Sequence, residues 1–365
     1  MDSLERNATV GQVKLIRLEL ERFTAFEKTT FEFASGVNVL IGENGTGKSH
    51  LLKLIYSLAE AVRRYTTGEG QDPGLPKLDL RDAIAGMLAA VFQPDDLGRL
   101  VRRGVGRRKA KVRATWLDRN RERTVNVELS SLGRVSVSAE SLPDLQRSIF
   151  LPTREVLSIF PGFISSYLKR ESALDRTVYD LCLALDAKPL RGPRTEIRAE
   201  LIKPIEQALG GKVVNENGRF YLRLPDGEME APLVAEGIRK LGMLDYLIVN
   251  GSLMENGFLL WDEPEASLNP RLTRLTGQIA LGLAHSGVQT WIATHDYLLT
   301  SELTLASEQN GEHDTAFFAL ARTTEVKGTT VERGEKLGDL QHNSILKALA
   351  DLHEREEAAF LGGAQ

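Results

Sequence analysis

A single cysteine, Cys182, stands among the 365 residues, which excludes an internal disulfide and any zinc site built on paired cysteines. One thiol suits a reducing cytoplasm. No apolar run approaches the roughly 20 residues that a membrane-spanning helix needs, and the opening MDSLERNATVGQ is polar, so neither an anchor nor a signal peptide is expected. Charge of neither sign is in excess: charged residues make up 26%, apolar ones 42%, and the net charge is −4, the balance of an ordinary soluble globular chain. Global charge therefore offers nucleic acid no footprint. Repeats and low-complexity segments are missing, and between Ser49 and Ala235 there are no sustained heptads, so no long coiled-coil arm is expected. The length allows one large domain or two interleaved lobes.

What is present begins with strand-like alternation at Val13, Leu15, Leu18 and Leu20, then Phe31 and Phe33, then the run Val37 to Ile41, with turns expected at Glu27-Lys28 and Ser35-Gly36. The run VNVLI leads straight into GENGTGKS, residues 42–49, and from Lys48 the apolar residues Leu51, Leu52, Leu54, Ile55, Leu58 and Val62 fall at helical spacing. This is strand, loop, helix. Gly42, Asn44, Gly45 and Gly47 let backbone N–H groups wrap phosphates; Lys48 offers a point charge to β/γ oxygens, and the Ser49 hydroxyl can ligate Mg²⁺.

Two later strand ends complement that loop. GFLLWDEPEASLNP runs from an apolar strand into adjacent acids: Asp262 can hold Mg²⁺ and Glu263 can polarise an attacking water. VQTWIATHDYLL ends another apolar strand in Thr294-His295-Asp296, where His295 can reach a γ-phosphate or the water.

The order of these motifs, with AEGIRKLG opening a helix before the DEPE strand, resembles the ABC-type ATPase head, in particular the branch of SMC, RecF and OLD-type ATPases and the stand-alone AAA-labelled ATP-binding proteins of bacterial defence operons. The opening VKLIRLELERFTAFEKTTFEFASGVNVLIGENGTGKS is similar to that branch as well, and the motifs span residues 12–296. The resemblance implies an α/β P-loop fold with a mixed β-sheet core flanked by helices and a helical lobe inserted between the Walker A loop and the signature. It implies Asp262 as the Walker B acid, Glu263 as the catalytic glutamate, His295 as the switch histidine, and Ser267-Leu268-Asn269 as the D-loop. The segment Ala235 to Lys240 would be the signature that reaches the nucleotide of a second protomer, in a head-to-tail dimer with ATP between the heads. LSGGQ is absent, and Ala235 stands where the branch has serine, so Gly237 N–H and Arg239 are the expected substitutes. For the Q-loop, the strand-end Thr153-Arg154-Glu155 is preferred to Gln93.

The expected division is an ATPase core at 1–65, inserted strands and a helical lobe at 66–230, the signature, Walker B, D-loop and switch histidine at 231–335, and a helix and tail at 336–365. About 70 residues follow His295, too few for the Toprim nuclease of OLD proteins, and no nuclease cluster stands out, so an effector, nuclease or toxin-like, is expected on a separate chain. The segment 97–123 is rich in arginine with only Asp118 and Glu122 as acids; it offers an edge to DNA or RNA, or to an acidic protein partner, or is a solvated face.

Overall fold

The computed structural model describes residues 12–69, 79–191, 196–253, 257–310, 314–322 and 327–362. TTGEGQDPGLP (66–76) reads in the sequence as a linker and KPLRGPRT (188–195) as a break between helices; 70–76 and 192–195 lie outside these residues.

β1 (Lys14–Phe23) and β2 (Phe26–Glu32) form an antiparallel hairpin. β3 (Val37–Ile41) leaves it for a second sheet and runs into α1 (Lys48–Thr67), on which α2 (Leu80–Phe92) packs. β4 (Lys109–Asp118), β5 (Arg121–Ser130) and β6 (Val135–Ala139) extend the hairpin into a five-stranded antiparallel sheet, ordered β2-β1-β4-β5-β6. β7 (Ser148–Leu151) precedes the helices α3 (Phe163–Leu168), α4 (Arg176–Asp186) and α5 (Glu196–Leu209). A small sheet of β8 (Lys212–Glu216), β9 (Arg219–Leu224) and β10 (Gly227–Glu230) follows, then α6 (Glu236–Val249). β11 (Phe258–Asp262), α7 (Pro270–His285), β12 (Gln289–Thr294) and α8 (Tyr297–Asn310) come next. The hairpin β13 (Thr315–Arg322) and β14 (Thr329–Gly334) and the helix α9 (Ser344–Gly362) end the order. The stretch 66–230 thus supplies strands to all three sheets as well as helices.

The central sheet is ordered β14-β13-β3-β12-β11-β7, parallel except for β14. Its parallel strands are almost wholly buried on both faces, which is why they read as largely apolar runs, whereas β14 at the edge (TTVERG) does not. On one face Val37, Val39, Leu259, Trp261 and Ile292 pack under the helices α4 to α8. On the other, Leu40, Phe258, Leu260, Trp291 and Phe318 pack with α1 and the antiparallel sheet. α1 is enclosed between the two sheets, so its apolar residues extend beyond a single stripe, from Leu51 to Val62.

The first turn differs from its sequence-based expectation. It falls at Thr24-Ala25, because Phe23 and Phe26 pair across the hairpin and are 1% and 0% exposed, while Glu27 and Lys28 lie within β2. Thr24 takes the left-handed conformation, φ 45°, and its N–H donates to Leu100 O at 2.8 Å. Burial of the two rings outweighed the turn preference of a charged pair. No helix among the described residues is long and apolar enough to cross a membrane.

Candidate functional site

The parallel register gathers the three motifs. Asp262 of β11 pairs with Ala293 of β12, and Thr294 pairs with Ile41 of β3, so Gly42, Glu263 and His295 all leave the same edge of the central sheet. Side-chain contacts close the group. Ser49 Oγ donates to Asp262 Oδ1 at 3.0 Å, across 213 residues of sequence. His295 Nδ1 lies 3.3 Å from Glu263 Oε1. Lys48 Nζ curls back over the loop to donate to Gly42 O at 2.5 Å and Glu43 O at 3.0 Å.

Local backbone explains the loop's composition. Gly47 caps α1 with φ 105°, and a Cβ there would lie 3.0 Å from both Ala25 Cβ and the Phe26 ring. A side chain would therefore be strained twice, by conformation and by contact. Glu263 also adopts a left-handed φ, 48°, and its N–H donates to Ala293 O at 2.8 Å, which binds the turn to β12.

Burial sets the electrostatics. Desolvation lowers the Lys48 ammonium below the usual lysine range, opposed by Glu263, Asp262, Glu265 and Glu43. Desolvation likewise raises the Asp262 carboxyl, opposed by the Ser49 hydrogen bond. A desolvated carboxylate beside a hydroxyl is a pair of hard oxygen donors, which suits Mg²⁺ sharing its shell with phosphate and water. Ser49 and Asp262 fit that ion. Glu265 is raised by burial, against hydrogen bonds from Thr294 and the backbone.

An open cleft of about 680 Å³ adjoins the loop, lined by Asn44, Gly45, Gly47, Lys48, Ser49 and Glu263 on one side. The Thr24-Ala25 turn, Arg99 to Arg103 and Arg322 form the other wall. Part of the basic segment thus faces the phosphate loop. Arg102 is held there by Ala25 O at 2.8 Å and by Glu27 at 3.1 Å.

Ala235, Gly237, Arg239, Ser267 and Asn269 do not line this cleft and make a second group. Ala235 is the N-cap of α6 and provides no side-chain cap. A Cβ on Gly237 would sit 2.4 Å from Ser267 O, so the start of α6 and the D-loop turn meet backbone to backbone. Ser267 is itself left-handed, φ 65°, and Asn269 caps α7 by accepting from Leu272 N. Arg239 is engaged within its own chain: Nε donates to Glu155 Oε1 at 2.7 Å, and its guanidinium also donates to Val234 O. Of the Q-loop candidates, Glu155 is buried and Arg154 exposed at the end of β7; Gln93 caps α2 and donates to Leu174 O at 3.3 Å.

Sequence reasoning passed over Arg322 and Glu265, and named Lys240 only as the end of the signature segment. Arg322 enters the cleft wall because β13 runs beside β3; Lys240 donates to Glu263 O at 3.2 Å and Ala266 O at 2.8 Å; Glu265 accepts from Thr294 Oγ1 at 2.7 Å. A third acid in DEPE and a lysine inside an apolar helix were the only signals available.

Comparison with known proteins agrees with this architecture. A family model described as an AAA domain matches residues 17–83. The DNA replication and repair protein RecF of a Geobacillus species is 40% identical over 55 residues, 15% of this chain and 15% of that protein; RecF of Pediococcus pentosaceus is 46% identical over 55 residues, 15% and 14%. The match therefore spans about a seventh of those relatives' length. A solved SMC head bound to the C-terminal winged-helix domain of ScpA superposes with a TM-score of 0.55 at 15% identity, over 90% of this chain and all of that one. An SMC head with an extended coiled coil, bound to the C-terminal domain of ScpA derived from Pyrococcus furiosus, gives 0.51 at 12%, over 94% and 100%.

Sheet order, phosphate loop and strand-end acids define a P-loop nucleoside-triphosphatase fold. More narrowly, the fold is similar to that of solved SMC heads, and the opening that carries the phosphate loop is similar to an AAA domain and to RecF.

Proposed function

We propose that the protein is an ATP-binding and ATP-hydrolysing switch subunit that dimerises head to tail on ATP and controls a separate effector chain in defence against viruses and mobile elements. The observation that carries the ATPase reading is the convergence of Lys48, Ser49, Asp262, Glu263 and His295 at one sheet edge, closed by the Ser49 to Asp262 hydrogen bond. Lys48 and the loop N–H groups hold the β- and γ-phosphates, and Ser49 and Asp262 hold Mg²⁺. Bound there, the ion supplies charge neutralisation on the phosphate oxygens. Glu263 accepts the proton of the attacking water, and His295, within reach of Glu263, orients the γ-phosphate.

Support for a second copy comes from the open cleft and from the signature group that lies outside it, backed by the D-loop. Ala235, Gly237 and the α6 N-terminus would close on the partner's ATP. Arg239, engaged by Glu155, supports that turn from behind. The effector and the defence setting rest on the resemblance to stand-alone ATPases of defence operons; copurification from the native host, with ATP-dependent control of the captured enzyme, tests them.

Glu263→Gln should lower hydrolysis by about 10²–10⁴-fold while leaving ATP binding intact, and should favour an ATP-dependent dimer in light scattering. A variant that stays monomeric with ATP and hydrolyses it at the wild-type rate removes Glu263 from its role.

A second reading, an ATPase of DNA repair or maintenance that grips duplex DNA itself, is favoured by the exposed Arg103 and Arg107, with the partly exposed Arg108, and by the RecF-like opening.

A further inference from the structure

We propose that Glu265 is the positioning residue of His295, clamping the turn after β12 to the turn after β11; the inference rests on the ATPase reading of the site. The Glu265 side chain is 8% exposed and its Oε1 is taken up by Thr294 Oγ1 and His295 N–H, which suits it to holding the histidine turn better than to meeting water. Its contacts run instead to the histidine turn. Oε1 accepts from Thr294 Oγ1 at 2.7 Å and from His295 N at 3.4 Å, and lies 3.8 Å from His295 Nδ1.

The neighbouring backbone makes this a linkage between two loops. Thr294 Oγ1 in turn accepts from Asp296 N at 2.9 Å, so the one carboxylate organises three consecutive residues, Thr294 to Asp296. On its own side, Glu265 O accepts from Leu268 N at 2.9 Å, within the D-loop turn. The Thr294 side chain is wholly buried and would lose its acceptor without Glu265. The imidazole is different: half exposed, with Glu263 and Glu265 both near one ring nitrogen and no other ion pair of the ring among the described residues. Its backbone anchor therefore decides where the ring lies. A His held this way presents its free edge to the γ-phosphate without first paying to be ordered.

The chemistry separates the two glutamates of DEPE. Glu263, 27% exposed, faces the cleft where the attacking water would lie; Glu265 acts through His295. Glutamine at 265 keeps the Oε1 acceptor and the shape, whereas alanine deletes the clamp.

The test uses the full chain, labelled with ¹³C at its six histidines, with the His295 resonance assigned by its loss in His295→Ala. In Glu265→Ala the His295 ring signal should shift and broaden, and kcat for ATP should fall about tenfold or more with KM changed less than about twofold. Glu265→Gln should restore both, and Thr294→Val, which removes the buried donor, should reproduce part of the loss. Adding Glu265→Ala to His295→Ala should cost nothing further, because both act through one ring. A His295 signal unmoved by Glu265→Ala overturns the proposal, as does a loss that multiplies in the His295→Ala background or a glutamine variant as impaired as the alanine. Wild-type protein that does not hydrolyse ATP defeats the ATPase reading instead, and the ring signal still decides whether the clamp exists.

Discussion

Cys182 lies wholly buried in α4, and burial pushes its thiol up to about 12. The thiolate is the reactive form, so the native protein should resist thiol reagents at pH 8, and labelling by a maleimide should appear only as denaturant opens the helical region. Rapid labelling of native protein would contradict the packing around α4. The same dependence on surroundings separates legible from illegible residues at the site. Lys48, Ser49, Asp262 and Glu263 were readable because phosphate and metal chemistry favour those types at the start of the helix after a glycine loop and at a strand end. Glu265, Lys240 and Arg322 were not, because their partners come from other elements: Thr294 from β12, the Glu263 and Ala266 carbonyls, and the loop beside β13. Arg239 was legible as a charge near the signature, but its pairing with a glutamate 84 residues away was not.

At the scale of elements, α1 joins the phosphate loop to the rest of the molecule. Glu60, 1% exposed, accepts from Arg63 at 2.9 Å, from Arg64 at 3.4 Å and from Ser148 N of β7 at 2.6 Å. Arg64 also reaches Asp180 of α4 at 2.8 Å, and Tyr56 donates to the same carboxylate at 2.7 Å. Movement of the loop is thereby tied to β7 and to the helical region behind the sheet. Removing Glu60 takes a partner from Arg63 and Arg64, which keep Glu69 and Asp180, and strips the buried Ser148 N–H of its acceptor, so Glu60→Ala should destabilise by about 3 kcal/mol in urea unfolding, with Glu60→Gln recovering much of it. An alanine variant within ~0.5 kcal/mol of wild type would mean water reaches Arg63 and Arg64. Strands, loop and helix were expected from periodicity; the Thr24-Ala25 turn was not, since two phenylalanines with long-range contacts placed it.

For the whole molecule, the basic segment is less basic than its composition. Lys109 faces Glu128, Lys111 faces Glu21, Arg113 faces Glu19 and Arg119 faces Asp144, all across the antiparallel sheet or its turns. Among the described residues, Arg103, Arg107 and Arg108 show no carboxylate partner. If DNA is gripped directly, reversing these three should weaken binding uniformly across sequences and flatten its salt dependence by about three phosphate contacts; absence of binding at low salt would leave the protein-partner role for this edge. The sequence by itself determined the P-loop class and the order of its motifs, because glycine conformation, apolar period and charge at a strand end are local properties of the chain. Only the tertiary structure decided which arginines face the cleft, which glutamate clamps His295 and how α1 is anchored, because each depends on strands far apart in sequence being brought into register.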